Sequence, residues 1–175
     1  MISNGSNLTE MIMKGNPEII KTLNALLVGE LTAVDQYLIH GEKYADMGLY
    51  ALAEKSLHES DHERQHAKAL IQRILFLEGA PDLSKRDPLN VGATVQEMLQ
   101  SDLAVEYHVV GSLKTAIAEA ELAQDYVTRE MLVLQLDDTE TDHAYFLEKQ
   151  LRLIKLTGLE NYLQSQMGSE PTGGA

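Results

Sequence analysis

Apolar residues recur along most of the chain at spacings of three and four, which is the spacing of one helix face. Leu23, Leu26, Leu27, Val34 and Gly41 make the first such row, within a segment running from Pro17 to about Asp46. Leu52, Leu70, Ile74 and Leu77 make the second, over about 49–78, and Val95, Leu99, Val110, Leu113 and Ile117 the third, over about 93–121. Val133, Leu136, Ala144, Leu147 and Leu151 form a fourth within 124–157, and a short fifth stretch covers 159–167. Pro17 suits a first helical position, while Met47-Gly48, Gly79 and Gly158 supply stops, Gly79 as a left-handed C-cap. Pro81, Asp82, Asp87 and Pro88 mark the intervening 79–92 as loop. The pattern predicts an all-α protein: an antiparallel four-helix bundle with one long crossover between the second and third helices and a short C-terminal fifth helix. Residues 1–167 form a single domain and 168–175 a flexible tail.

Each apolar row carries polar residues that do not belong in a core. Glu30 and Tyr37 sit in the first, Glu59, Glu63 and His66 in the second, Glu106 in the third, Glu140 and His143 in the fourth. An unpaired ionised carboxylate in an apolar interior costs several kcal/mol or loses its charge, and four would also repel one another. Bound divalent metal removes both difficulties. The spacing sharpens this reading. Glu63-x-x-His66 and Glu140-x-x-His143 each place a carboxylate and an imidazole on one helix face, and each follows a lone glutamate, Glu30 or Glu106, by 33 or 34 residues. Two metal ions held by six side chains is the stoichiometry of that duplicated pattern.

Composition narrows the chemistry. The 175 residues hold 14 Lys+Arg against 27 Asp+Glu, a net charge of −13, which disfavours nucleic acid and anionic membranes as partners and suits cations. There is no cysteine, so disulfides, thiolate zinc sites, iron–sulfur clusters and Cys nucleophiles are excluded, and a metal must be held by His, Asp, Glu or carbonyl oxygen. No apolar run is long enough for a membrane span, and Met1 to Met13 lacks the basic region and apolar stretch of a secretory signal, so the expected compartment is the cytoplasm.

With these residues in view, the chain resembles the ferritin-like di-iron carboxylate proteins and, among them, the bacterioferritins, over about residues 14–167. Asn24-Ala-Leu-Leu with Glu30 and Gln36-Tyr37, Ile74-Leu-Phe-Leu-Glu-Gly79, Ser101-Asp-Leu-Ala with Glu106, and Gly158-Leu-Glu-Asn-Tyr-Leu163 carry the likeness. The resemblance implies a ferritin-like fold and a ferroxidase centre of two iron ions per subunit. Glu63 and Glu140 would bridge the irons, Glu30 with His66 would complete one site and Glu106 with His143 the other. Tyr37 matches a tyrosine beside the centre, a candidate one-electron donor. In the family the residue after the first Glu of the first Glu-x-x-His is a methionine that ligates haem across a twofold axis; here it is Arg64, which cannot ligate iron. Haem b by that route is not expected, and some family shells mix such a ferroxidase subunit with a second, haem-ligating subunit type.

A second apolar row on the second helix, Leu57, Ile71 and Leu75 around Arg64, predicts a subunit interface, which the resemblance makes a twofold dimer within a 24-subunit shell. His58 and His62, with Glu59 beside them, point away from that row. By the resemblance this face lines the cavity, and His58 matches an inner-surface iron ligand; the three are secondary candidates for binding iron. His40 and His108 show no partner pattern. The resulting expectation is iron storage and detoxification: Fe2+ is oxidised to Fe3+ by O2 or H2O2, and ferric mineral is held in the shell. A di-iron oxygenase or peroxidase on the same bundle, without mineral storage, is the alternative.

Overall fold

The computed structural model describes residues 15–168, and among these it contains helices and no strand. Helix α1 spans Pro17–Asp46 and α2 Tyr50–Phe76; α3 spans Val95–Leu122, and α4 Tyr126–Asp138. A π-helical turn, Thr139–Ala144, joins α4 to α5, Tyr145–Thr157, and α6 covers Leu159–Gln166. The expected tail falls almost wholly outside the described residues, as does the segment before Gly15. No helix of the described residues is long and apolar enough to cross a membrane.

Local chemistry sets the helix ends. Asn16 accepts from the Glu18 amide ahead of Pro17, and Thr94 with Glu97 forms a reciprocal capping box for α3. Asp125 caps α4 by accepting from the Thr128 amide and is held by Arg73 Nη2 at 2.7 Å. The stop after α2 differs from expectation. Glu78, not Gly79, takes the left-handed conformation (φ 60°), while Gly79 is needed for closeness: a Cβ there would sit 2.7 Å from Ile20 Cγ2.

Cross-helix contacts give the topology. Ser56 donates to the Tyr37 carbonyl and Ser60 to the Val34 carbonyl, so α2 runs antiparallel to α1. Thr22 meets Glu119 while His40 meets Asp102, so α3 is also antiparallel to α1, and α2 and α3 are parallel. Joining two parallel helices needs the long connection of residues 77–94, which crosses the bundle. The crossover is pinned along one face of α1: Asn24, Thr32, Gln36 and His40 accept from the amides of Asp82, Asp87, Asn90 and Gly92.

Two apolar clusters fill the interior. One gathers Leu23, Leu27, Leu70, Ile74, Leu113 and Leu132, the other Tyr44, Leu52, Leu99, Leu147 and Tyr162, whose hydroxyl donates to Gln150 and fastens α6. Between them lies a buried polar layer. Of the second apolar row on α2, Ile71 and Leu57 are half-buried and Leu75 is exposed, as is its neighbour Phe76. Arg64 is exposed among them.

The π turn corrects the helical wheel of the fourth segment. A continuous α-helix through His143 turns Glu140, Leu136 and Val133 inward. The wide turn accommodates one extra residue, so the buried positions before it are Thr139, Gln135, Leu132 and Thr128, one residue earlier each. Val133 and Glu140 are therefore exposed.

Candidate metal centre

Four elements converge on the polar layer. Glu30 comes from α1, Glu63 and His66 from α2, Glu106 from α3 and His143 from the π turn, all buried. Glu63 is the middle of the set: its Oε1 lies 2.8 Å from His143 Nδ1 and its Oε2 lies 3.0 Å from His66 Nδ1. Glu30 Oε2 flanks His66 Nδ1 at 3.7 Å, and Glu106 Oε2 flanks His143 Nδ1 at 3.6 Å. One carboxylate thus serves two carboxylate–imidazole pairs, giving two overlapping ligand groups, Glu30/Glu63/His66 and Glu63/Glu106/His143, each with donor atoms within 4.8 Å of one another.

The electrostatics are those of a site short of positive charge. Burial, followed by the nearby Glu63 charge, pushes Glu30 up to about 8 and Glu106 up to about 7. Burial also works against the Glu63 anion, but hydrogen bonds with His143 and His66 outweigh it and hold that carboxyl well below the usual range. The same contacts overcome desolvation at His66, raised to about 10 by Glu30 and Glu63, and raise His143 as well. Glu30 Oε2 and Glu106 Oε2 are buried with no hydrogen-bond partner. Buried polar atoms rarely stay unpaired, and these are donor atoms of the two groups. The donor set of carboxylate oxygen and imidazole nitrogen fits divalent iron, zinc or manganese.

Five of the six expected ligands are therefore together. Glu140 is not with them: its side chain is 45% exposed and its Oε1 lies 2.6 Å from Lys114 Nζ. The physical cause is the π turn, which gives Thr139 the inward position that a regular helix would give Glu140. Tyr37 is buried beside the centre and its hydroxyl donates to Glu106 Oε1. Burial, then the charges of Glu106, Asp102 and Glu63, raises that phenol well above its ordinary value.

The secondary candidates divide. His58 is mostly exposed, with Nδ1 3.1 Å from Glu59 Oε1. Glu59 is buried, paired with Lys55 Nζ at 2.6 Å and with Oε2 2.8 Å from His143 Nε2; hydrogen bonds with His143 and Lys55 prevail over its burial and hold it at about 2. His62 lies between, its Nδ1 3.1 Å from His143 Nε2. Asp138 and Asp142 join these residues in two further groups, Glu59/His62/Asp142/His143 and His62/His66/Asp138. Neither aspartate stood out in the sequence, because a regular wheel turns both away from His66 and the register shift is invisible without coordinates. His40 proves structural: its Nδ1 meets Asp102 Oδ1 at 2.8 Å in full burial, beneath the crossover.

Comparison with known proteins agrees with this geometry. The Ferritin-like domain family matches residues 20–157. The chain is 56% identical over 155 residues to the bacterial ferritin of Synechocystis sp., covering 89% of this chain and 99% of that protein. It is 53% identical over 155 residues to the bacterial ferritin of Pseudomonas aeruginosa, covering 89% and 100%, and 39% identical over 159 residues to the bacterioferritin of Mycolicibacterium paratuberculosis, covering 91% and 99%. A four-helix bundle with duplicated carboxylate–histidine groups in its core and relatives of this kind along nearly its whole length identifies the chain as a bacterioferritin-type member of the ferritin-like family.

Proposed function

We propose that this protein is an iron-storage ferroxidase. Two Fe2+ ions are its substrate, taken up between Glu30, Glu63 and His66 on one side and Glu63, Glu106 and His143 on the other. The observation that carries this reading is Glu63, whose two oxygens face two different histidines. A carboxylate so placed holds two cations close enough to surrender electrons to one oxidant, O2 or H2O2. Carboxylate oxygens favour the ferric product and imidazoles retain affinity for the ferrous substrate, so the mixed set serves both oxidation states. Tyr37, hydrogen-bonded to Glu106, is placed to supply one electron. Glu140 completes the His143 side once it leaves Lys114. His58, His62 and Glu59 continue the line of donors from the centre toward solvent and are proposed to bind iron in transit.

Relatives named for ferritin support storage of the ferric product in a hollow shell, built from twofold dimers through the exposed apolar face of α2, in the cytoplasm. Arg64 in place of a haem-ligating methionine makes this a haem-free subunit, in a shell of its own kind or mixed with a haem-ligating partner. The test is an aerobic ferrous titration of the purified assembly, recording ferric absorbance and the Soret region together. Oxidation continuing well past two irons per chain, lost in Glu63→Gln, is expected. Saturation at two irons would replace storage with a di-iron oxygenase or peroxidase, and a Soret band would overturn the reading of Arg64.

A further inference from the structure

Asp138 is the last residue of α4, directly before the π turn, and lines a surface hollow of about 400 Å³ together with Gln65, His66, Gln135 and Thr141. One of its oxygens meets two imidazoles: Oδ2 lies 2.9 Å from His66 Nε2 and 3.2 Å from His62 Nε2. A carboxylate oxygen only accepts, so each ring turns an Nε2–H toward it and, when neutral, keeps its lone pair on Nδ1. For His66, Nδ1 is the atom facing Glu63 and Glu30. For His62, Nδ1 is the atom 3.1 Å from His143 Nε2. A lone pair there accepts the Nε2–H of His143, whose own lone pair then falls on Nδ1, the atom facing Glu63 and Glu106.

We propose that Asp138 and His62 are positioning residues for the metal centre: Asp138 sets His66 directly, and through His62 it sets His143, in the tautomer whose Nδ1 lone pair points at the metal. The inference rests on the metal-centre reading above. A metal-ligating imidazole needs its other nitrogen anchored, which fixes both ring orientation and basicity, and loss of such an anchor typically weakens metal binding by about 10–100-fold. Here a single carboxylate anchors both rings. Glu59 Oε2, 2.8 Å from His143 Nε2, favours the same tautomer of His143 but does not reach His66 in any contact of the structure.

The test is Co2+ titration of the full-length, metal-stripped assembly, followed by visible absorption, with Zn2+ calorimetry for stoichiometry. Wild type is expected to take two ions per chain. Asp138→Ala is expected to weaken both about tenfold or more, with altered Co2+ bands, and Asp138→Asn, which keeps an acceptor oxygen, to recover part of the loss. His62→Phe, which keeps a ring without nitrogens, is expected to weaken only one of the two. Circular dichroism and assembly size of the variants should match wild type. Wild-type affinities in both Asp138→Ala and His62→Phe would overturn the proposal, and loss of only one site in Asp138→Ala would remove the relay. A third wild-type ion that these variants lose while both centre sites keep wild-type affinity would make them ligands only and likewise overturn the positioning role. Fewer than two ions in wild type would instead overturn the metal-centre reading, and the proposal with it.

Discussion

Lys114 Nζ lies 2.6 Å from Glu140 Oε1 with both side chains about half exposed, so the carboxylate of the second Glu-x-x-His faces solvent while its histidine is buried. The corresponding carboxylate of the first motif, Glu63, is buried beside its histidine. The two halves of the duplicated pattern therefore differ by one side chain, and Lys114 is what that side chain holds instead of the centre.

Lys114 should then compete with a cation for Glu140. An exposed ion pair contributes about 0–1 kcal/mol, so Lys114→Met is expected to raise affinity on the His143 side by at most about fivefold. Zn2+ calorimetry at low ionic strength reads this directly. Unchanged binding would mean that Lys114 offers Glu140 no real competition.

The π turn holds one residue more than a regular helix through the same points, which makes it removable. Deleting Thr139 leaves Gln135, Leu132 and Thr128 in the core and brings Glu140 onto the face of His143. The variant should assemble normally and bind a cation more tightly at the His143 side, and adding Lys114→Met to it should have no further effect. A shell that fails to assemble, or the full Lys114→Met effect persisting, would count against this account of the register.

Much of this was legible in the residues. The crossover, the fold class and the inward placement of five of the six candidate ligands followed from period and spacing, because Glu30, Glu63, His66, Glu106 and His143 occupy faces that an ideal helix also predicts. Glu140 did not, since a wheel assumes a constant turn angle and Thr139–Ala144 departs from it. The same departure hid Asp138 from view. Glu59 was readable as inward, and Lys55 stands four residues before it on the same helix, but the further pairing of Lys55 with Asp142 crosses between helices and leaves no trace in sequence spacing.

Four of the carboxyl and imidazole groups at the centre bind protons more tightly in the folded protein than in the unfolded chain: Glu30 (about 8), Glu106 (about 7), His66 (about 10) and His143, also raised. From the ordinary carboxylate range up to about pH 10 the native state holds the extra protons, so metal-stripped protein should lose stability as pH rises through that interval. Glu59 and Glu63, both lowered, act the other way, but their contribution is lost only on the acid side, as pH falls through their folded values. Urea midpoints should thus be lower at about pH 9 than at about pH 6, and Glu30→Gln should flatten the trend. Zn2+, which displaces those protons, should stabilise more at the higher pH. A midpoint rising from about pH 6 to about pH 9 without metal would contradict these shifts.

Arg64 stands exposed on α2, between the half-buried Leu57 and Ile71 and the exposed Leu75. If a methionine is what the position lacks, Arg64→Met should confer a Soret band on reconstitution with haem, at about one haem per two chains for a group shared across a twofold axis. Wild type treated identically should show none. Equal haem binding by both proteins would point to a different ligand.

The His40–Asp102 pair is tied to the crossover. His40 Nδ1 meets Asp102 Oδ1 at 2.8 Å, and its Nε2 accepts from the Gly92 amide at 3.3 Å; Gln36 shares Asp102 and holds the Asn90 amide. Burial, only partly offset by His40 and Gln36, raises the Asp102 carboxyl. His40→Leu removes one partner from a buried carboxylate and orphans a backbone N–H, which should cost about 2–4 kcal/mol. The double variant His40→Leu/Asp102→Leu, with no charge left to bury, should recover a large part of that loss. Chemical unfolding of the four members of this cycle gives the coupling, and hydrogen exchange at Asn90 and Gly92 should accelerate in the single variant. Because neither residue touches Glu30, Glu63 or His66, cation stoichiometry should stay at the wild-type value throughout. A double variant as unstable as the sum of its singles would show that the two residues act independently.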